Sequence, residues 1–165
     1  MATTPTLVII SGPPGTGKTT LAHTLGATIG CPAICRDEIK EGMVHATDDF
    51  EPAIDDELSR RTLPLFFDVV GRLLGAGVTV VAEAAFQDRL WRPNLEPLQP
   101  VASLAILHCH TDAATARRRV IARQRPAHAD HTALDASRFH RLTTDHPALD
   151  IDTTDGYLPS IPEIV

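Results

Sequence analysis

Apolar runs alternate along this chain with stretches whose apolar positions recur at helical spacing. Leu7-Val8-Ile9-Ile10 is continuous, as expected of a strand buried on both faces, and it places a first strand at 6–11. A helix over 18–29 follows and stops near Gly30 and Pro32. A short strand at 33–35 leads into a helix from 37 to about 45, and 46–52 reads as a loop. From 53 to 75, apolar residues at 58, 65, 66, 69, 70 and 73 keep a helical period. Pro64 predicts a kink or a break in that segment, and Gly75 and Gly77 end it. Further on come a third strand (78–83), a fourth (101–109), a helix (112–124), a loop (125–133), a helix (134–144) and a last strand (148–152) before a proline-punctuated tail. The alternation predicts an α/β fold, a three-layer sandwich with a five-stranded parallel sheet and helices on both faces.

The length of 165 residues fits one domain spanning 1–165, large enough to bury a core. A hydrophobic share of 43% and a mean hydropathy of −0.02 describe an ordinary globule. No apolar stretch approaches a membrane span and residues 1–6 carry no basic leader, so the expected location is cytoplasmic, without a membrane. Cys31, Cys35 and Cys109 suit a reducing compartment. Cys31 and Cys35 lack partner ligands at metal spacing and read as residues buried beside the short strand. A net charge of −6 argues against a general nucleic-acid binder. The positive charge is nevertheless clustered at Arg117, Arg118, Arg119, Arg123 and Arg125.

The first apolar run feeds directly into Gly12-Pro13-Pro14-Gly15-Thr16-Gly17-Lys18-Thr19, followed by Thr20. This is the phosphate-binding P-loop pattern, G-x-x-x-x-G-K-[ST], in the strand–turn–helix context it requires. Glycines let successive N–H groups turn inward around phosphates, and the helix N-terminus adds partial positive charge. Lys18 is placed to reach the β- and γ-phosphates, and the Thr19 hydroxyl to ligate Mg²⁺. These residues form the predicted binding site for ATP and Mg²⁺.

Ligand-lining residues in open α/β sheets come from the carboxyl ends of the strands. Asp37 lies at such an end and opens a helix, with Lys40 and Glu41 on the same face. A carboxylate there can accept the proton of an acceptor hydroxyl while Lys40 holds the substrate; an aspartate at that point also serves as a helix N-cap. Arg119 and Arg123 are i,i+4 neighbours and Arg125 begins the next loop, so Arg123 and Arg125, with Arg119 third, are candidates to stabilise a migrating phosphoryl group. Arg117 and Arg118 read as a solvated face, and Val120 and Ile121 as facing the core. Glu83 ends the third strand as a substrate-facing acid or one associated with Mg²⁺ through water. Asp152, Thr153 and Thr154 end the last strand where a nucleotide base would lie, with Thr154 the candidate contact.

Other constellations carry less. His108 and His110 share a strand face without a third ligand, and His128 and His131 fall in the 125–133 loop. Asp68-Val69-Val70-Gly71 mimics a GTPase D-x-x-G but lies inside a helical pattern, and no N-K-x-D motif occurs.

Taken together, the P-loop, Arg36-Asp37-Glu38-Ile39-Lys40, Val80-Val81-Ala82-Glu83-Ala84, the 117–125 arginines and Asp152-Thr153-Thr154 resemble a family of small P-loop kinases. These are the bacterial "predicted kinases" related to chloramphenicol phosphotransferase, zeta toxin and the polynucleotide kinase domain. The resemblance spans nearly the whole chain. It implies that Asp37 is the general base, that Arg123 and Arg125 are lid arginines, and that the γ-phosphoryl group of ATP moves to an acceptor hydroxyl. Polynucleotide kinase carries arginine where this chain has Lys40, and lysine cannot make the bidentate fork to a phosphate.

The leading expectation is a small-molecule kinase, monomeric or homodimeric. Its acceptor region would be 37–66, which holds Asp48, Asp49, Glu51, Asp55, Asp56 and Glu57 as a mostly solvated acidic face, and its short arginine-bearing lid 117–133. The alternatives are a polynucleotide 5′-hydroxyl kinase, which would need a basic groove, and a regulatory nucleotide-binding ATPase without an acceptor.

Overall fold

A computed structural model describes residues 3–53, 55–85, 87–123, 127 and 141–165. Its strands are β1 (Thr6–Ser11), β2 (Ala33–Cys35), β3 (Val80–Glu83), β4 (Ser103–His110) and β5 (Ala148–Asp152). Its helices are α1 (Lys18–Ile29), α2 (Arg36–His45), α3 (Glu57–Gly75), α4 (Asp88–Leu95), α5 (Ala113–Arg123) and the short α6 (Ile161–Ile164). The strands form one all-parallel sheet in the order β2-β3-β1-β4-β5. Among the described residues no helix is long and apolar enough to cross a membrane.

Side chains alternate across a strand, so β1 feeds two cores. Leu7 and Ile9 pack with Phe66, Val70 and Leu74 of α3 and with Trp91 and Leu95 of α4. Val8 and Ile10 pack on the opposite face with Leu21, Ala22 and Leu25 of α1. Phe66 and Trp91 meet edge to face at 5.6 Å between ring centroids, which ties α3 to α4.

Several expectations change. α3 runs unbroken through Pro64, because its buried stripe (Leu58, Thr62, Phe66, Val70, Leu74) anchors both halves to the sheet. Pro64 itself is exposed, so solvent can serve the carbonyl that its missing N–H leaves behind. Leu65 is exposed, not part of the core. α4 has no counterpart in the sequence reading, since Pro93 and Pro97 mask the apolar spacing of Trp91, Leu95 and Leu98. Of the expected helix at 134–144, residues 134–140 lie outside the described residues. Residues 141–144 are not helical: Leu142 enters the α3–α4 core, and the Thr143 N–H donates to Asp88 Oδ1 at 3.0 Å. Ile121 is 53% exposed and does not face the core.

A buried ion pair joins α2 to α3. Asp56 is the N-cap of α3: its Oδ1 accepts the Ser59 N–H at 2.7 Å. Its Oδ2 accepts from Lys40 Nζ of α2, also at 2.7 Å, and the two side chains are only 8% and 2% exposed. The ammonium also lies 5.7 Å from the centroid of the Phe50 ring. This removes Lys40 from the substrate-holding role expected of it and Asp56 from the solvated acidic face. Packing α2 on α3 desolvates both groups, and each then needs the other.

Burial alone would raise the Asp56 pKa, but the Lys40 and Ser59 hydrogen bonds and the Lys40 charge outweigh it and hold the carboxyl at about 2. A depressed folded-state value means stability that is complete above the ordinary 3.8 and is lost as pH falls toward 2, worth about 2 kcal/mol. Asp56→Ala should therefore destabilise the protein by about 3 kcal/mol in urea unfolding at pH 7, because it strands a buried ammonium. Lys40→Met combined with Asp56→Leu should recover much of that loss. A neutral Asp56→Ala variant would refute the buried pair.

Candidate active site

Gly12 leaves β1 with φ +143°, and Gly15 sits at φ +81°. Their conformations are only part of the requirement. A Cβ on Gly12 would collide with the Cys109 carbonyl of β4, and one on Gly15 with the Ala116 carbonyl of α5. The loop therefore nests backbone to backbone against the elements that follow it. Thr16 Oγ1 and Lys18 Nζ both donate to the Pro13 carbonyl, at 2.8 and 2.9 Å, which closes the loop on itself. Gly17 is the N-cap of α1 and supplies no side-chain cap, so the first N–H groups of the helix point toward the space the loop encloses. Burial pushes the Cys109 thiol up to about 12, so a neutral group lies beneath the loop.

Register aligns the carboxyl ends of three strands. Glu83 pairs with Ile10 of β1 on one side and with Cys35 of β2 on the other. At the usual interstrand spacing, the end of β2 stands about 10 Å from that of β1, with Glu83 between them. The Thr19 hydroxyl donates to Glu83 Oε2 at 3.1 Å, and Glu83 is 2% exposed. Two hard oxygen donors meeting at a buried strand end suit Mg²⁺ chemically.

Two residues past Cys35, Asp37 lies in the first turn of α2 and is half-buried. The helix begins at Arg36, one residue earlier than expected, and its N-cap position is Cys35. Asp37 is therefore not the N-cap. Arg36 Nη1 donates to Asp37 Oδ1 at 3.1 Å, and its Nη2 donates to the Ser59 carbonyl of α3 at 3.3 Å. This guanidinium fixes the carboxylate between two helices. The sequence reading assigned Arg36 no role; a basic residue directly before a candidate base was the available signal.

On the other side of the P-loop, Gly17, Thr20, Arg119, Ala122, Arg123, Thr153, Gly156 and Tyr157 line a cleft of about 460 Å³. Arg119 Nη2 donates to the Thr153 carbonyl at 2.7 Å and its Nη1 to the Gly15 carbonyl at 3.5 Å. Its guanidinium is held between the P-loop and the end of β5. Arg123 lines the same cleft from the last turn of α5. Arg125 lies outside the described residues, as do His128 and His131; of the expected lid, 117–123 belong to α5.

At the end of β5 the buried residue is Thr153, and its hydroxyl lies 2.8 Å from the Thr16 carbonyl and 3.1 Å from that of His110. Thr154 is exposed, and its hydroxyl lies 3.0 Å from that of Thr111. Ala122, Thr153, Gly156 and Tyr157 are thus the cleft residues the sequence reading missed or passed over. Strand alternation distinguishes Thr153 from Thr154 only once the register of β5 is known. His108 is half-buried with Nδ1 unpartnered among the described residues, and His110 brings it no third ligand.

The family described as AAA domain matches residues 7–146, and the chain belongs to it. Its fold is that of P-loop kinases. A candidate kinase from Chloroflexus aurantiacus superposes with a TM-score of 0.82 at 22% identity, over 99% of this chain and 92% of that one. A gluconokinase from Sinorhizobium meliloti gives 0.63 at 19%, over 97% and 89%. The APS kinase of Mycobacterium tuberculosis, in complex with AMPPNP and APS, gives 0.64 at 16%, over 88% of each chain. No curated protein matches the chain.

Thr153→Val should lower stability by about 1–3 kcal/mol in urea unfolding, because it leaves a buried carbonyl without its donor. Thr154→Val should stay within about 0.5 kcal/mol of the parent. Equal effects at the two positions would contradict this assignment of the end of β5.

Proposed function

We propose that this protein is an ATP- and Mg²⁺-dependent phosphotransferase that moves the γ-phosphoryl group to a hydroxyl of a small molecule. The observation that carries the reading is the alignment of three strand ends: the P-loop on β1, Glu83 on β3 and Asp37 just beyond β2. A donor site, an acid and a candidate base lie in a row, and a nucleotide-binding switch without an acceptor has no need of the last.

In this reading residues 12–20 wrap the phosphates, with Lys18 against the β- and γ-oxygens. The nucleoside lies in the cleft beside Arg119, Thr153 and Tyr157. Mg²⁺, which neutralises charge on the phosphate oxygens when bound, would be held by Thr19, with Glu83 reaching it directly or through water. Asp37, fixed by Arg36, accepts a hydrogen bond from the acceptor hydroxyl and takes its proton as the oxygen bonds to the γ-phosphorus. The bond from that phosphorus to the β,γ-bridging oxygen breaks, and ADP leaves. Arg123, with Arg125 as the second lid cation, stabilises charge on the transferring group. Arg119 instead holds the nucleoside side, because its guanidinium is committed to Thr153 and Gly15.

In this reading the acceptor lies against the wall formed by α2 and the start of α3. Lys40 is withdrawn into a buried pair and the Arg36 guanidinium is already paired with Asp37, so neither offers this wall free positive charge for a phosphate. That supports an uncharged or cationic hydroxyl compound over a nucleic-acid end.

Screening with labelled ATP against sugars, antibiotics, other hydroxyl-bearing metabolites and oligonucleotides should yield a phosphorylated small molecule. Lys18→Ala should abolish transfer. Asp37→Asn should keep ATP affinity within about twofold while lowering kcat by roughly 10²–10⁴. Wild-type turnover in Asp37→Asn would return that residue to a structural role.

A further inference from the structure

Behind the acceptor side, three side chains that are far from one another in type come together. His23 of α1, Cys35 at the end of β2 and Glu38 in the first turn of α2 hold their ligand atoms within 4.8 Å of one another. His23 Nε2 is 2.8 Å from Glu38 Oε1 and 3.8 Å from Cys35 Sγ. A tetrahedral ion with metal–sulfur bonds of about 2.3 Å and metal–nitrogen bonds of about 2.0–2.1 Å sets sulfur and nitrogen about 3.5 Å apart. The observed sulfur–nitrogen separation is close to that. The nitrogen–oxygen pair, drawn in by its hydrogen bond, has to open by about 0.5 Å. Half-exposed side chains, 52% for His23 and 45% for Glu38, can make that adjustment by small torsions.

The sulfur is the fixed point. Cys35 is buried at a strand end and cannot swing away, whereas the other two ligands close over it from the solvent side. Glu38 and Glu83 both place negative charge beside the sulfur, so the pocket favours a cation. An imidazole nitrogen, a thiolate and a carboxylate select a borderline-soft ion over Mg²⁺, and the open side leaves a fourth position for water. We propose that His23, Cys35 and Glu38 form a binding site for a thiophilic divalent cation of the Zn²⁺ class.

On binding, the metal–sulfur bond replaces the S–H bond and the thiol proton leaves to solvent. The ion ties α1, which carries Lys18 and Thr19, to β2 and α2, which carry Asp37. Donor and acceptor walls are then cross-linked through a site that touches neither substrate. Cys31, which shares the short-strand region, is not among the converging ligands.

The test is titration of chelator-treated full-length protein with Co²⁺, a spectroscopic stand-in for Zn²⁺. The expected result is a saturable 1:1 sulfur-to-cobalt charge-transfer band that Zn²⁺ abolishes and excess Mg²⁺ does not. Cys35→Ser should eliminate the band and Cys31→Ser should retain it. His23→Gln and Glu38→Gln, both at exposed positions that leave the core intact, should each weaken Co²⁺ binding by at least about tenfold. Absence of the band, its survival in Cys35→Ser, or unchanged affinity in both exposed variants would overturn the proposal. No arm of the experiment requires catalysis, so it stands apart from the kinase reading.

Discussion

The close contact of the P-loop backbone with the carbonyls of Cys109 and Ala116 is the constraint on which the rest of this structure depends. Neither contact has room for a side chain. The path of the loop is therefore fixed by β4 and α5, not by β1 alone. That contact places α5 over the loop, which in turn brings Arg119 to Gly15 and Thr153. Thr153 closes the circuit by joining β5 to the carbonyl of Thr16. A site formed from one contiguous octapeptide is thus held by elements spread over the second half of the chain. Local hydrogen bonds close such a loop, but only the neighbouring backbone holds it to one geometry.

The wall formed by α2 and the start of α3 follows a different logic. Its charged residues are chiefly occupied with one another: Lys40 with Asp56, Arg36 with Asp37 and with the Ser59 carbonyl. The Lys40–Asp56 pair adds little net stability relative to an apolar substitute, but it strongly penalises any separation of α2 from α3. Arg36 then orients Asp37 across the same two helices. The buried ion pair and the half-buried one together define a rigid wall, and Glu83 marks the line where this wall meets the phosphate loop.

The first four elements were legible within a residue or two, because each is announced locally: an apolar run for β1, glycine and proline stops around α1, and a short strand running into a helix. The P-loop residues were legible for the same reason, since spacing and chemistry coincide over a few adjacent positions. Where local and tertiary signals disagreed, the tertiary signal won. Pro64 remains inside α3 because the buried stripe outweighs one lost hydrogen bond, and α4 forms despite Pro93 because Trp91 and Leu95 complete the core.

The sequence by itself determined the class of fold and the phosphate-binding loop, because alternation of apolar segments and a contiguous motif are properties of neighbouring residues. Only the tertiary structure decided which charges are at work in the cleft. It withdrew Lys40 into a buried pair, held Arg119 between the P-loop and the end of β5, exchanged Thr154 for Thr153, and brought His23 and Glu38 to Cys35. The reason is physical: a side chain's charge is written in the sequence, but its burial and its partners depend on how strands and helices distant along the chain come into register.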